Sequence, residues 1–112
     1  MSQLTTHILD TTKGKPASGV TITLFQQEDN EWKQMAQGTT NADGRIPDLL
    51  HKDVQLAFGA YKMKFETATY FGLQSIQTFY PYVEIVFSIT TNEHYHIPLL
   101  LNPYGYSTYR GS

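Results

Sequence analysis

Tyr95-His-Ile-Pro-Leu-Leu-Leu-Asn-Pro-Tyr-Gly-Tyr-Ser-Thr-Tyr-Arg-Gly-Ser112 is the stretch from which the rest of the chain is read. Along its first half Tyr95, Ile97, Leu99 and Leu101 alternate with His94, His96, Pro98 and Leu100, and a period of two sends the sets to opposite faces of a strand. The apolar set must face a core, which turns His96 outward. Leu100 shares that outer face and would sit poorly in water, so a second subunit is expected to cover it. Pro103 and Gly105 interrupt the pattern, and a final short strand leads into Tyr109-Arg-Gly-Ser112. Chain ends fray unless tied into a sheet. With Tyr104, Tyr106 and Tyr109 crowded together and no run of Lys, Glu or Ser, this end is expected to be buried or in use.

The same alternation recurs upstream. After a bend at Pro81, Val83, Ile85, Phe87 and Ile89 alternate with Glu84, Val86 and Ser88. Tyr61, Met63 and Phe65 alternate with Lys62, Lys64 and Glu66, a clear core-in, water-out strand. Val20 to Phe25 is rich in β-branched residues and connects through Gln26 to Glu31, with Asp29-Asn30, to a strand around Trp32 to Thr39. Leu4, Thr6 and Ile8 alternate with Thr5, His7 and Leu9 in a strand ending at Asp10, which turns His7 outward. Residues 47–57 read as irregular, and residues 67–74 as one short helix capped by Thr67 or Thr69. Seven to eight short strands at this spacing predict an all-β fold, an antiparallel β-sandwich with one short helix, as a single domain over residues 1–112.

The formal net charge is -2, which leaves no basic field for nucleic acid or anionic lipid, so neither nucleic acid nor a membrane is an expected partner. No Cys is present, which excludes disulfides and thiolate metal sites. No segment approaches ~18 uninterrupted apolar residues, and Met1 to Thr5 lacks the parts of a signal peptide. The expectation is a soluble, cytoplasmic protein.

Three displayed side chains have catalytic potential: His7 and His96 on outward strand faces, and Arg45 at the exit of the Asn41-Ala-Asp-Gly-Arg45 turn, where Gly44 supplies positive φ. Each has an ordinary reading beside it. A strand His is most often a surface or half-buried residue, an Arg after a glycine turn is usually a solvated charge, and His51 reads as plain surface. His94 and His96 share one strand face, as metal ligands sometimes do, but Glu93 points the other way, so no metal is expected. Arg45 and Arg110 are the only arginines, against six lysines. Their planar, permanently charged fork suits carbonyl and oxyanion recognition.

Asn92-Glu-His-Tyr-His-Ile-Pro-Leu-Leu-Leu, Pro103-Tyr-Gly-Tyr-Ser-Thr and the closing Tyr109-Arg-Gly-Ser112 resemble the 5-hydroxyisourate hydrolases, the transthyretin-related enzymes of urate breakdown. Thr6-His-Ile-Leu-Asp10 resembles that family's first strand, and Asn41-Ala-Asp-Gly-Arg45 the turn presenting its Arg. The resemblance implies a transthyretin-like sandwich, assembled as a homotetramer, a dimer of dimers, with the site in a cleft at the dimer-dimer interface. It implies a cyclic amidohydrolase that needs no cofactor and converts 5-hydroxyisourate to 2-oxo-4-hydroxy-4-carboxy-5-ureidoimidazoline. It also implies that His7, Arg45, His96 and Ser112 are catalytic, and that His7, Arg45, Tyr109, Arg110 and Gly111 bind substrate. Either imidazole is then a candidate general base, and Arg110, Ser112 and the terminal carboxylate orient an imidazole or the substrate. The alternative is a non-catalytic carrier of a small aromatic ligand. In carriers resembling this fold, the positions of His7 and Arg45 hold Lys and Glu, and the closing tetrapeptide is missing.

Overall fold

A computed structural model describes residues 2–112; Met1, the first residue of the expected 1–112 domain, lies outside the described residues. Strands β1 (Leu4–Asp10), β2 (Lys15–Pro16), β3 (Thr21–Glu28), β4 (Glu31–Thr39) and β5 (Gly59–Phe65) precede the one short helix, α1 (Thr67–Gly72). Strands β6 (Val83–Ile89), β7 (Tyr95–Asn102) and β8 (Gly105–Thr108) follow it. They form two four-stranded sheets, ordered β2-β1-β7-β8 and β4-β3-β5-β6. Burial follows the alternation: Leu4 and Ile8, Tyr61, Met63 and Phe65, and Ile97, Leu99 and Leu101 all lie in the layer between the sheets. Removing such side chains from water drives the sandwich together at roughly 1.5–3 kcal/mol each.

The all-β sandwich follows the sequence expectation, with one exception to its antiparallel pairing. β1 and β7 run parallel, with Leu4 opposite Tyr95 and Asp10 opposite Leu101. Parallel pairing needs a long crossover, and here the whole second sheet and α1 lie between the two strands. β3 and β4 meet in a two-residue hairpin at Asp29 and Asn30, both with positive φ, as a turn matching strand twist requires.

The helix start differs from expectation. Neither Thr67 nor Thr69 caps it; the N-cap is Glu66, without a side-chain bond, and the Thr67 hydroxyl is buried with no partner. The cause is the entry to the helix. The Glu66 amide still donates to the Thr21 carbonyl at 3.0 Å, so the chain passes from strand ladder to helix with no residue free to fold back. The helix is tied down elsewhere: the Tyr70 hydroxyl donates to buried Asp10 at 2.7 Å, and burial together with that carboxylate pushes the phenol up to about 12.

Candidate active site

The parallel β1–β7 ladder builds the site. Its register sets Thr5 beside His96, His7 beside Pro98 and Leu9 beside Leu100, so these side chains share the outer face of the first sheet. Thr5, His7, Leu9, His96 and Leu100 are each half-buried in the single chain.

Arg45 arrives by a different route. The Asn41 side chain accepts from the Asp43 amide at 2.9 Å and the Arg45 amide at 3.1 Å, while the Asn41 amide donates to the Arg45 carbonyl at 2.8 Å. This closed turn docks on β1, where the Ile8 amide donates to the Gly44 carbonyl at 3.0 Å and His7 and Arg45 form an isolated bridge. Gly44 is required twice over: its φ is +72°, and a Cβ there would lie 2.5 Å from the Ile8 carbonyl oxygen. The turn predicted from sequence therefore puts Arg45 beside His7.

Charge binds the three groups into one neighbourhood. Burial first, then the Arg45 guanidinium, holds His7 below the usual imidazole range, opposed by a backbone hydrogen bond at Asp43 and by the Asp43 carboxylate. Burial, then Arg45, then His94 and His7, does the same to His96, opposed by a backbone hydrogen bond at Thr5. Both rings are consequently neutral at pH 7, the form in which an imidazole accepts a proton.

The tail is held by its backbone at Gly111 and by the side chain of Arg110. The Gly111 amide donates to the His96 carbonyl at 2.8 Å, and β8 itself stops at Thr108. A Cβ on Gly111 would stand 2.6 Å from His96 Cδ2, so only glycine lets the tail lie against that ring. Tyr109 and Ser112 are exposed. Arg110 goes elsewhere: its guanidinium covers the Tyr95 ring at 4.2 Å, approaches Glu93 at 3.6 Å and donates to the His94 carbonyl at 3.4 Å. The structure thus brings together His7, Arg45, His96 and Gly111, and places Arg110 against the opposite face of β7. A cavity of about 370 Å³ is lined in part by His94, Lys52 and Asp53, and one of about 340 Å³ by Tyr109, Arg110 and Phe87. His7, Arg45 and His96 line neither; in the single chain they lie on an open face.

One member of the cluster went unread in the sequence. The Thr5 hydroxyl lies 2.8 Å from His96 Nδ1 and 3.0 Å from His94 Nε2, bridging the two imidazoles. Its parity with His7 was visible, but its position opposite His96 depends on a register that periodicity does not encode. Among the described residues no group of three or more His, Cys, Asp or Glu side chains is placed to hold an ion. His51 stands exposed on its loop, 3.5 Å from the Asp53 carboxylate.

A family model described as the HIUase/Transthyretin family matches residues 4–111. The 5-hydroxyisourate hydrolase of Salmonella dublin is 50% identical over 110 residues, covering 97% of this chain and 80% of that protein. The mouse enzyme of the same name is 46% identical over 114 residues, covering 99% of this chain and 96% of its own. Among solved structures, Klebsiella pneumoniae 5-hydroxyisourate hydrolase superposes with a TM-score of 0.86 at 39% identity, over 99% of this chain and 100% of that one. Sea bream transthyretin, solved in complex with thyroxine, superposes with a TM-score of 0.91 at 35% identity, over 97% and 94% of the two chains.

Proposed function

The chain belongs to the HIUase/Transthyretin family, and from that premise we propose that it hydrolyses 5-hydroxyisourate in urate breakdown, using neither metal nor organic cofactor. The observation carrying this reading is the meeting of His7, His96 and Arg45 on one face, with the Arg45 charge acting on both neutral rings. Water is a poor nucleophile. One imidazole takes its proton as the oxygen attacks a ring carbonyl, an effect worth roughly 10²–10⁴ in rate. The carbonyl electron pair moves onto its oxygen, where Arg45 donates hydrogen bonds to the developing charge. The ring C–N bond then breaks, and the nitrogen leaves with the proton the imidazole took. Gly111 holds the tail against His96, and Tyr109 and Ser112 border the substrate from the tail side, while Arg110 braces the tail on Tyr95 from the other face of β7.

A flat outer face cannot exclude water from such a reaction, and the half-buried Leu9 and Leu100 beside the histidines suit a covering partner. The unpaired edges of β6 and β8, with Val86 60% and Tyr106 41% exposed, offer a second contact. We place the site in a cleft between dimers of a homotetramer, closed by the equivalent face of another subunit.

Backbone likeness alone does not separate enzyme from carrier, since the transthyretin superposes as well as the hydrolase. The side chains favour hydrolysis: a carrier needs no neutral imidazole pair beside a guanidinium. The test is ultraviolet decay of freshly generated 5-hydroxyisourate with and without the purified protein. Decay well above the spontaneous rate is expected; decay at the spontaneous rate, with saturable binding of a small aromatic ligand, would leave the carrier.

A further inference from the structure

The bridge between the two imidazoles has a chemical consequence. A threonine hydroxyl carries one proton, so Thr5 Oγ1 cannot donate to both His96 Nδ1 at 2.8 Å and His94 Nε2 at 3.0 Å. It donates to one ring and accepts from the other. Two arrangements satisfy this. In the first, His96 Nδ1–H donates to Thr5 and the Thr5 hydroxyl donates to His94 Nε2, leaving His96 Nε2 bare. In the second, both bonds reverse, and His96 carries its proton on Nε2, where it cannot act as a base.

Only the first arrangement leaves a ring nitrogen of His96 bare on the side away from Thr5, so it alone lets His96 take a proton from water while both bonds to the Thr5 hydroxyl are kept. We infer that Thr5 is a positioning residue, fixing His96 with Nδ1 protonated and Nε2 free, and that Thr5 and His94 together form a relay for the proton His96 takes. This rests on the hydrolase reading and deepens it by naming His96 as the base.

The relay balances. His96 Nε2 takes a proton from water; His96 Nδ1 passes its own to Thr5 Oγ1, and Thr5 passes its original proton to His94 Nε2. His96 ends neutral with its proton on Nε2, and His94 carries the positive charge. As Nε2 gives its proton to the leaving nitrogen, Thr5 returns a proton to His96 Nδ1 and His94 Nε2 returns one to Thr5, so every group regains its starting form. The charged and titratable groups around the chain of bonds are His7 and Arg45 near His96. Around His94 they are Lys52 and Asp53 in the neighbouring cavity, with Glu93 next in sequence and Arg110 bonded to the His94 carbonyl. The charge formed on His94 therefore sits at an open polar cavity of about 370 Å³ that the Asp53 carboxylate also lines.

Three variants of the full-length protein test this: Thr5→Val, which keeps the shape and removes the hydroxyl, Thr5→Ser, which keeps the hydroxyl, and His94→Gln. Each is read by kcat and KM separately and by ¹⁵N NMR of the histidine rings, which reports the His96 tautomer whether or not the protein turns over. Wild type and Thr5→Ser should show His96 protonated at Nδ1. Thr5→Val should lose that preference and lower kcat by roughly tenfold or more with KM little changed, since holding a catalytic imidazole in the wrong tautomer costs up to about 10⁴-fold. His94→Gln should keep the tautomer and lower kcat, and it carries the test of the relay alone if Thr5→Val does not fold. Wild-type His96 protonated at Nε2, or Thr5→Val with unchanged tautomer and kcat, overturns the inference while leaving hydrolysis standing. If wild type shows no turnover, the hydrolase reading falls by itself and the tautomer spectrum still decides the role of Thr5.

Discussion

Replacing Gly111 with Ala tests whether the tail serves the site or merely ends the chain. The new methyl would stand 2.6 Å from His96 Cδ2, 3.3 Å from Cγ and 3.4 Å from Cβ. Carbon atoms settle near 3.5–4.0 Å, so the ring or the tail must give by about 0.9 Å. Rotation alone is a poor escape, because the methyl also meets the hinge of the side chain and Thr5 holds Nδ1 at 2.8 Å. Either His96 leaves Thr5, or the Gly111 amide leaves the His96 carbonyl and the tail lifts. Displacements of about 1 Å in a reacting group cost on the order of 10²-fold, or about 2.7 kcal/mol of transition-state stabilisation. Folding should lose far less, roughly 1 kcal/mol for one hydrogen bond outside the core. Gly105→Ala is the matched control, because its methyl would meet only Asn102 at 3.6 Å, an ordinary contact. With 5-hydroxyisourate decay as the assay, Gly111→Ala should lose about 10²-fold in kcat/KM while Gly105→Ala stays within about threefold of wild type. Equal rates in the two variants, with Gly111→Ala fully folded, would refute the claim that the tail is fitted to His96.

His7→Ala, Arg45→Ala and His96→Ala should each lower kcat/KM by roughly 10²-fold with a near-normal thermal midpoint, and the His7→Ala/His96→Ala pair should be little worse than the poorer single change; loss through unfolding would make these residues structural. Because both histidines are held below the ordinary 6.5, unfolded chains bind protons there that folded ones do not, so stability should be level above that pH and fall as pH drops below it. kcat/KM should likewise hold through 6.5 and fail only at lower pH, and an inflection at or above 6.5 would contradict the depressed rings. Sedimentation equilibrium at micromolar concentration should give about four times the 12.7 kDa chain mass, and a fully active monomer would remove the intersubunit cleft.

Much of this was legible in the sequence, for local reasons. The bounds of β1 fall at Leu4 and Asp10, where its alternation begins and ends, and Asp43-Gly44 specifies a turn because few other pairs tolerate its backbone. The unread features depend on distant residues. Nothing in the alternation of β1 says that it lies parallel to β7, and without that register Thr5 is an unremarked polar residue rather than the neighbour of two imidazoles. β2, at Lys15–Pro16, is too short for any period to show. For Arg110 the resemblance implies a substrate ligand, and nothing local in the sequence shows that its guanidinium lies on Tyr95 beside Glu93, a contact set by the path of the tail after β8.

The division between fold and chemistry explains how one sandwich serves hydrolases and thyroxine-binding transthyretins alike. The side chains between the sheets are fully committed to burial, so they determine backbone shape and leave little freedom to vary. The outer face of β1 and β7 carries no such duty. A change there alters what the face presents without opening a cavity, which keeps its cost near that of a surface substitution, within about 0.5 kcal/mol. Chemistry also requires the opposite of a core: a neutral imidazole must reach water, and a guanidinium must remain charged. Both conditions hold on a half-buried face and fail inside the sandwich, where burying an unpaired charge is prohibitive. Placing His7, Arg45 and His96 outside the core satisfies the fold, and the second subunit we propose over that face would exclude water and so satisfy the reaction.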